Sequence, residues 1–554
     1  MNTSKSSRPK LEVYLWIMVL LIGVWLGLVW HLYEQANAAG EGITGMAKGT
    51  GQGIAGIITA VMLVFSGHWS AIAMAQSKLD KQVQLENKTR YFAEQQDREQ
   101  RTYALEIRAA GLAVDGWHQS NIWKKIKLRN SNFTSIYSQD PKAYPATADS
   151  RYNRTSANIT AAATHSARDA VAYWPMPTFA LGPESQPGED IAATDILGAR
   201  NAATLGVNLF LWQASEDTTH AQHIIERVFQ FFAENAEVPE ALILTSDGDV
   251  SRAGNRMPGT PDLSDGLYVP TVYASMTGLL LARTDRVDRY LRPFAVREEE
   301  DNQNKSTDLG KLWFFYWKHE QKFDSVYVAA KKAEGIEFPV APVMSSAYWH
   351  AQLPELWKTT THRGPGYFQP TKWLPIRWAQ HQIDEFDEAP TLGYLHRPIK
   401  VSMNDEQGNP LKPAMRAKAL QAAWMQALQT LPNGEKPVRV FYDSTHNPEG
   451  EVTLTQALLA LNVDGTGLNL SNVNEGYDIG RRLGNTGVSG ALVEINLATI
   501  ASYLDGGVSA VVYPGADGSA TIQMIRPPSD AMKARNAETR WADPFKFGAP
   551  GAGS

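Results

Sequence analysis

The sequence predicts an α/β protein, with an N-terminal transmembrane helix or helical hairpin followed by a soluble body of two α/β domains. A long apolar run near the N-terminus indicates the membrane segment. Strand–helix–strand order then occurs twice, within 201–249 and within 391–443, which is typical of α/β layers. Of the 554 residues, 43% are hydrophobic and 10% are aromatic, which is enough to build a substantial core.

Composition excludes several classes of function. The net charge of -6 argues against a nucleic-acid partner, because such proteins usually carry a basic excess. The chain contains no cysteine, which excludes disulfides, thiolate catalysis and zinc–thiolate or iron–sulfur sites. We therefore expect no cofactor of these kinds.

The first apolar segment, Val13–Tyr33, carries no charged residue. A helix of about 20 apolar residues spans the hydrocarbon core of a bilayer. Lys5, Arg8 and Lys10 precede it, which favours a cytoplasmic N-terminus. A cleaved signal peptide ending near 36–38 is the alternative, but the apolar run is longer than the usual 7–15 residues.

The second apolar segment, Ile54–Ala75, is less hydrophobic and contains His68. Glycines occur before and at the start of this segment, at positions 45, 49, 53 and 56. Their spacing is close to that of the small residues at which membrane helices pack together. A glycine-rich amphipathic or buried helix is the alternative interpretation. If both segments span, basic residues flank the hairpin on its outer sides and both ends lie in the cytoplasm. We expect an inner-membrane protein whose body faces the cytoplasm; a single span would place the body on the opposite side.

Along the chain we predict six regions. They are a membrane anchor at 1–76, a polar helical linker at 77–101, a first α/β domain at 102–296, a connecting region at 297–388, a second α/β domain at 389–530 and an extended tail at 531–554.

Hydrophobic periodicity places the main elements of the body. Predicted strands are Tyr103–Arg108, part of 201–214, Ala241–Asp249, Thr391–Met403 and Pro437–Asp443, and predicted helices are Asn121–Leu128, Ala221–Glu234 and Ala414–Leu431. Both halves contain a helix, a short loop and an apolar strand, followed by a short acidic segment that we call an acidic tip. This similarity suggests an internal duplication.

Two acidic tips are the strongest candidates for chemistry. Asp247 and Asp249 follow a strand and could hold a hard cation, although aspartate and glycine are also ordinary turn formers. Asp443, His446 and Glu449 bring two carboxylates and an imidazole into one short segment, and these groups could perform acid–base catalysis or bind a metal. A turn is the favoured interpretation of both tips. No nucleophile elbow, phosphate-binding loop or zinc-protease motif occurs, so we assign no catalytic, cofactor or metal residue.

Two further segments are open to more than one interpretation. The glycine-rich segment Tyr477–Gly490 could bind an anion through Arg481 and Arg482, could bind a partner, or could be a long connection. The aromatic run Trp313–Trp317 is too dense for one helix face and indicates core, or a partner-binding patch. Isolated histidines are more often structural than catalytic, and three of these are His362, His381 and His396.

Several segments of the body resemble the type VI secretion lipase adaptor family. They are Ser135–Tyr137 with Gln139–Pro141 and Tyr144–Pro145, Val228–Phe232 with Val238–Pro239, Pro258–Pro261, Gly266–Pro270, Arg286–Asp288, Leu291–Phe294, Asp478–Gly490, Ser502–Ser509 and Pro527–Asp530. Their order along roughly residues 100 to 545 carries the resemblance. The resemblance implies a partner phospholipase effector that is bound in the producing cell and loaded onto a secretion spike protein. It implies no catalytic residues.

The leading hypothesis is therefore a membrane-anchored adaptor that is not an enzyme. An immunity-like protein that neutralises a lipase toxin is the alternative. A membrane-bound hydrolase that uses the tip at 443–449 is a weaker one.

Overall fold

In this computed structural model, the chain forms two compact units, Met1–Gln100 and Arg101–Ser554. The structure describes residues 10–39, 46–184, 191–204, 206–214, 220–254, 262–337, 339–361, 364–445, 447–515, 517–539 and 543–546.

The N-terminal unit consists of two long helices, α1 (Leu11–Ala38) and α2 (Met46–Arg101). Helix α1 and the part of α2 from Ala47 to Ala75 are each long and apolar enough to span a membrane. Helix α2 then continues without a break through the polar residues 76–101, which adds about 40 Å of helix. Both predicted apolar segments are thus helical, as expected.

The two helices pack antiparallel to each other. The Tyr14 hydroxyl lies 2.5 Å from Nδ1 of His68, and the ring of Tyr14 meets Phe65 edge-on at 5.1 Å. At the other end the Trp25 indole covers Gly53, where an added Cβ would overlap the ring. A Cβ at Gly49 or Gly56 would meet nothing within 4 Å. Of the three glycines described from the small-residue pattern, only Gly53 therefore makes the close approach between the helices.

The described part of the body contains twelve strands joined in one sheet. They are β1 (Ala104–Val114), β2 (Trp117–His118), β3 (Pro175–Leu181), β4 (Leu209–Trp212), β5 (Glu240–Asp247), β6 (Ser275–Ala282), β7 (Gly393–His396), β8 (Ile399–Ser402), β9 (Pro437–Tyr442), β10 (Gly476–Asp478), β11 (Val508–Pro514) and β12 (Ser519–Arg526).

The helices of the body follow in chain order. They are α3 (Ser120–Leu128), α4 (Ala148–Ala167), α5 (Ile191–Thr204), α6 (Ala221–Glu234), α7 (Asp249–Gly254), α8 (Thr284–Arg286), α9 (Asp308–Ala333), α10 (Ser346–Leu356), α11 (Gln380–Glu388), α12 (Pro413–Gln429), α13 (Pro448–Leu461), α14 (Ile479–Leu483), α15 (Gly490–Asp505) and α16 (Asp530–Thr539).

The order of the strands across the sheet is symmetric about its centre. The path runs β10-β9-β11-β12-β7-β1-β6-β5-β3-β4, while β2 pairs with β1 and β8 pairs with β12. In the N-terminal half β3 lies between two parallel neighbours, β4 and β5, and antiparallel β6 follows. In the C-terminal half β9 lies between parallel β10 and β11, and antiparallel β12 follows. Strands β1 and β7 pair at the centre.

This symmetry is a topological repeat, but its register differs from the one we expected. Helix α6 and strand β5 correspond to α15 and β11, since each strand lies on the inner side of the central parallel strand of its half. The sequence pattern had instead paired α6 and β5 with α12 and β9. The two acidic tips at Asp247 and Asp443 are therefore not equivalent positions.

The core has helices on both sides of the C-terminal half of the sheet. Along β9 and β11 alternate side chains belong to different clusters: Phe441 and Val511 join the large core, which includes α15, while Val440 and Val512 face α12 and α13. Helix α15, with the turn before it, is apolar and long enough to be a membrane span by composition, yet its residues from Leu492 to Tyr503 are buried in the body. It packs against strands of both halves of the sheet.

The α/β fold class is confirmed, with two halves that share one sheet. The internal boundaries proposed at 296, 388 and 530 stay a prediction. The tail expected to be extended from residue 531 begins instead as helix α16. The expected strand Thr391–Met403 is two short strands, β7 and β8, and only β7 also pairs with β1.

Candidate functional site

A cavity of about 340 Å³ lies where the two halves of the body meet. Its first-half lining comes from the N-terminus of α6 and from α7, and its second-half lining comes from the end of β9, the start of α15 and the end of β11. The lining residues are His220, Ala221, Arg252, Asp443, Asn447, Asn485, Gly487, Val488, Gly490, Ala491, Glu494, Tyr513 and Pro514. The volume falls in the range of small-molecule sites in proteins.

Asp247, at the end of β5, ties the two halves together beside this cavity. Its carboxylate is fully buried and accepts two hydrogen bonds from Arg252, both at 2.8 Å. It also accepts the backbone N–H of Val488 at 2.8 Å, across the junction. Gly487 has a φ of 59°, and a side chain there would overlap the Asp247 carboxylate. This carboxylate is therefore a structural acceptor.

The carboxylate of Asp249 also accepts hydrogen bonds from within the chain. One oxygen accepts the backbone N–H of Val272 at 2.9 Å, and the other accepts that of Thr271 at 2.8 Å. Because N–H donors point at both carboxylates of the first acidic tip, the geometry does not favour a hard cation there. Within the described part of the chain, no group of three or more acidic or histidine side chains is placed to hold a metal ion.

The second acidic tip divides into separate roles. Asp443 lines the cavity and accepts the backbone N–H of Thr445 at 2.7 Å. Asn447 caps helix α13 by accepting the N–H of Gly450 at 2.8 Å, and exposed Glu449 pairs with Arg416 at 3.0 Å. His446 lies outside the described residues. Of the two described acidic residues of this tip, Asp443 lines the cavity and Glu449 does not.

Glu494, on α15, is a site residue that the sequence patterns did not reveal. The residue is only 1% exposed and lines the cavity, and its Oε2 has no hydrogen-bond partner among the described residues. Burial raises the pKa of Glu494 well above its ordinary value, and the nearby carboxylates of Asp443 and Asp478 raise it further. A single carboxylate inside an apolar helix was the only signal in the sequence.

The glycine-rich segment Tyr477–Gly490 forms part of the junction between the halves. Arg482 is fully buried and donates to the carbonyl oxygen of Arg129 and to Oδ1 of Asn130, at 3.2 and 3.0 Å. Arg481 points elsewhere and pairs with Glu451 at 2.6 Å. Both guanidinium groups thus have partners within the chain. Of the three interpretations, a long connection fits this geometry best.

The aromatic run is interior in part: Phe315 and Tyr316 are buried, while Trp313, Phe314 and Trp317 are half-buried. Tyr316 is fully buried and donates to the carbonyl oxygen of Phe210 at 2.8 Å, and Arg200 donates to the Tyr316 hydroxyl at 2.8 Å. His396 is buried, and burial lowers its pKa to about 4. His381 lies in α11, outside the cavity, and His362 is not among the described residues.

Two of the segments that carry the family resemblance make hydrogen bonds and ring contacts inside the body. Tyr137 donates to the carbonyl oxygen of Val114, and its ring stacks on Tyr273 at 4.9 Å. Arg286 donates to the carbonyl oxygens of Asn235, at 2.6 Å, and Val238, at 3.2 Å. The segment Pro258–Pro261 lies outside the described residues. Tyr137 and Arg286 thus serve packing and hydrogen bonding.

Some solved structures are distantly similar to the chain. A ketosynthase from the bacillaene synthase of Bacillus amyloliquefaciens matches with 8% identity and a TM-score of 0.40, over 77% of this chain and 73% of that one. An oxazolomycin ketosynthase domain from Streptomyces albus matches with 8% identity and a TM-score of 0.35, over 77% and 96%. At these values the likeness carries no conclusion about fold or activity.

Family models match both halves of the body. The model described as type VI lipase adapter protein Tla3, N-terminal, matches residues 103–265, and its C-terminal counterpart matches residues 392–527. The two matched regions begin beside β1 and β7, the central strands with which the two halves of the topological repeat begin. The chain therefore belongs to the family of type VI lipase adapter proteins.

Proposed function

We propose that this protein is an inner-membrane adaptor that binds a type VI secretion lipase effector in the cytoplasm and helps load it onto a secretion spike protein. The observation that carries the proposal is the match of the N-terminal and C-terminal adapter models, in order, across the body. The two apolar helices of the N-terminal unit support membrane attachment.

The geometry of the acidic tips favours a binding role over hydrolysis. Asp247 and Asp249 accept hydrogen bonds from within the chain, and Glu449 pairs with Arg416. A hydrolase that uses the second tip would therefore require Asp443 to act without the carboxylates of Asp247, Asp249 and Glu449. If wild-type protein and Asp443→Asn are equally inactive on ester and phosphate substrates, the hydrolase hypothesis is removed.

The adaptor proposal is tested by capture of partners from the protein's own host. The full-length chain, tagged and extracted in mild detergent, is expected to retain a lipase and a spike protein, identified by mass spectrometry. A tagged, unrelated membrane protein with two spans serves as the control. A lipase recovered alone and with its activity suppressed would favour an immunity role, and recovery of no lipase would contradict both.

The side of the membrane on which the body lies is tested with introduced cysteines, because the chain has none of its own. Gly42→Cys lies between the two apolar helices, and Asp464→Cys lies on the exposed surface of the body. With two spans, a membrane-impermeant maleimide that reaches the periplasm labels only the first variant before the cells are broken. Labelling of Asp464→Cys in intact cells would contradict the cytoplasmic placement.

A further inference from the structure

The junction cavity contains a buried carboxyl group that the fold does not use. Glu494 comes from the first turns of α15, whose other buried residues are apolar or uncharged. Its Oε2 is shielded from solvent and has no partner among the described residues. Buried polar atoms usually have a hydrogen-bond partner, because leaving one unsatisfied is unfavourable. Its position on the cavity wall makes the carboxyl group available to a group that enters the cavity.

The charges around Glu494 indicate the sign of that group. The carboxylate of Asp443 lines the same cavity, and Asp478 at the end of β10 acts on Glu494 in the same direction. Both disfavour an ionised Glu494. His220, which precedes α6, also lines the cavity, and burial lowers its pKa, so it is neutral near pH 7. None of these groups supplies a positive charge to Glu494.

The positive groups at the cavity wall are already compensated. Arg252 donates two hydrogen bonds to Asp247. The same carboxylate accepts the N–H of Val488 at the entry to α15, which offsets the positive end of that helix. The Tyr513 hydroxyl is directed to Gln523 at 3.2 Å. Asp478 pairs with Arg481 at 3.1 Å, so among the described residues the uncompensated charge near Glu494 is the carboxylate of Asp443, which is negative.

We propose that the junction cavity binds one protonated amine or guanidinium group carried on a narrow, flexible stem. The cationic group would donate hydrogen bonds to Glu494 and lie within reach of the charge of Asp443, while the stem would occupy the remainder of the roughly 340 Å³. Glu494 would release its proton as the cation enters, because an adjacent positive charge favours the carboxylate. This inference does not depend on the adaptor role.

The test is calorimetric titration of the full-length protein in detergent with agmatine, which carries a guanidinium group on a butyl stem. Butylurea, which has a similar shape and no charge, is the matched probe. We expect saturable agmatine binding that is stronger at about pH 8 than at about pH 6, since binding releases a proton. Titration in two buffers of different ionisation enthalpy measures that proton.

Two cavity variants and one surface variant give the decisive comparison. Glu494→Gln keeps the shape and lacks the charge, so agmatine affinity is expected to fall at least tenfold and proton release to disappear. Asp443→Asn, at the wall, is expected to reduce affinity about threefold. Asp464→Asn, on the exposed surface, is expected to bind as the wild type does. Equal binding by Glu494→Gln, equal binding of butylurea, or absence of saturable agmatine binding would overturn the proposal.

A second measurement separates the two sources of such a group. If agmatine displaces the captured lipase from the wild-type protein and not from Glu494→Gln, the cation belongs to a lysine or arginine side chain of that partner. If agmatine binds and the complex is unaffected, the cation belongs to a free amine. Both results support the site, and its failure is distinguishable from failure of the adaptor proposal, which the capture experiment tests separately.

Discussion

Replacement of Asp247 by alanine is expected to loosen the junction between the halves of the body. The substitution leaves the guanidinium of Arg252 and the backbone N–H of Val488 without their acceptor. The carboxylate is fully buried, whereas Arg252 is 23% exposed and regains part of its hydration. The effect should therefore appear first where the two halves meet, at residues 485–489.

The magnitude follows from these contacts. Removal of one partner from a buried ion pair costs about 3–5 kcal/mol, because the other charge is left buried. For a body of this length roughly 1 °C of midpoint corresponds to 1 kcal/mol, so the expected fall in Tm is about 3–5 °C. Asp443→Asn is the control. Asp443 is half-buried and accepts a backbone hydrogen bond from Thr445, which asparagine can also accept.

The assay is thermal unfolding of the full-length protein in detergent, followed by tryptophan fluorescence, together with limited proteolysis. We expect Asp247→Ala to melt early and to be cleaved faster within 485–489, while Asp443→Asn shifts the midpoint by less than about 1 °C. An unchanged midpoint and an unchanged cleavage rate in Asp247→Ala would refute the argument that this carboxylate holds the junction.

Two other predictions concern parts of the chain far from that junction. Gly53→Leu should separate the N-terminal helices, because the new side chain would overlap the facing indole, whereas Gly56→Leu should not. The yield of a bismaleimide cross-link between cysteines introduced at Tyr14 and His68 measures the separation of the helices. Equal yields in the two variants would contradict the prediction. Burial raises the pKa of Glu240 to about 8, so the folded state holds a proton there that the unfolded state loses above about pH 4.5, and stability falls as pH rises from about 4.5 to 8. The full loss in the free energy of unfolding corresponds to about 5 kcal/mol. Glu240→Gln should flatten the dependence of Tm on pH. An identical slope in the wild type and the variant would exclude Glu240 as the source of that dependence.

Local patterns predicted the elements that depend on local chemistry. Helix α6 spans Ala221–Glu234, the range that its amphipathic spacing indicated, and β9 matches its apolar run to within a residue. The pairing of the strands was beyond such patterns. Strand β1 finds its neighbours far along the chain, and no periodicity of β1 itself specifies them. The offset of the internal repeat was missed for the same reason, because helix–strand order looks alike in either register.

The candidate site was predicted only in part. Of the acidic residues that follow two strand ends, Asp443 lines the junction cavity and Asp247 lies beside it, bonded to Arg252 of the cavity wall. Whether a carboxylate binds a ligand or accepts hydrogen bonds from its own chain depends on distant partners, such as Val488 for Asp247. Glu494 was missed because one acidic residue in an apolar helix looks the same whether the helix lies at the surface or in the core. Only the tertiary structure distinguishes the two cases.

The central position of β1 means that this strand is synthesised long before β6 and β7, which pair with it. This strand leaves the ribosome soon after the apolar helices, but it pairs with β6 at 275–282 and with β7 at 393–396. At about 5–20 residues per second, β1 waits roughly 15–60 s for β7 to be made. Until β6 is made, both edges of this apolar strand lack their partners, and the edge that pairs with β7 stays open for the whole interval, which is a hazard for aggregation. The nascent chain therefore needs protection through most of its translation, and a fragment that ends before residue 393 would lack the strand that joins the two halves of the sheet.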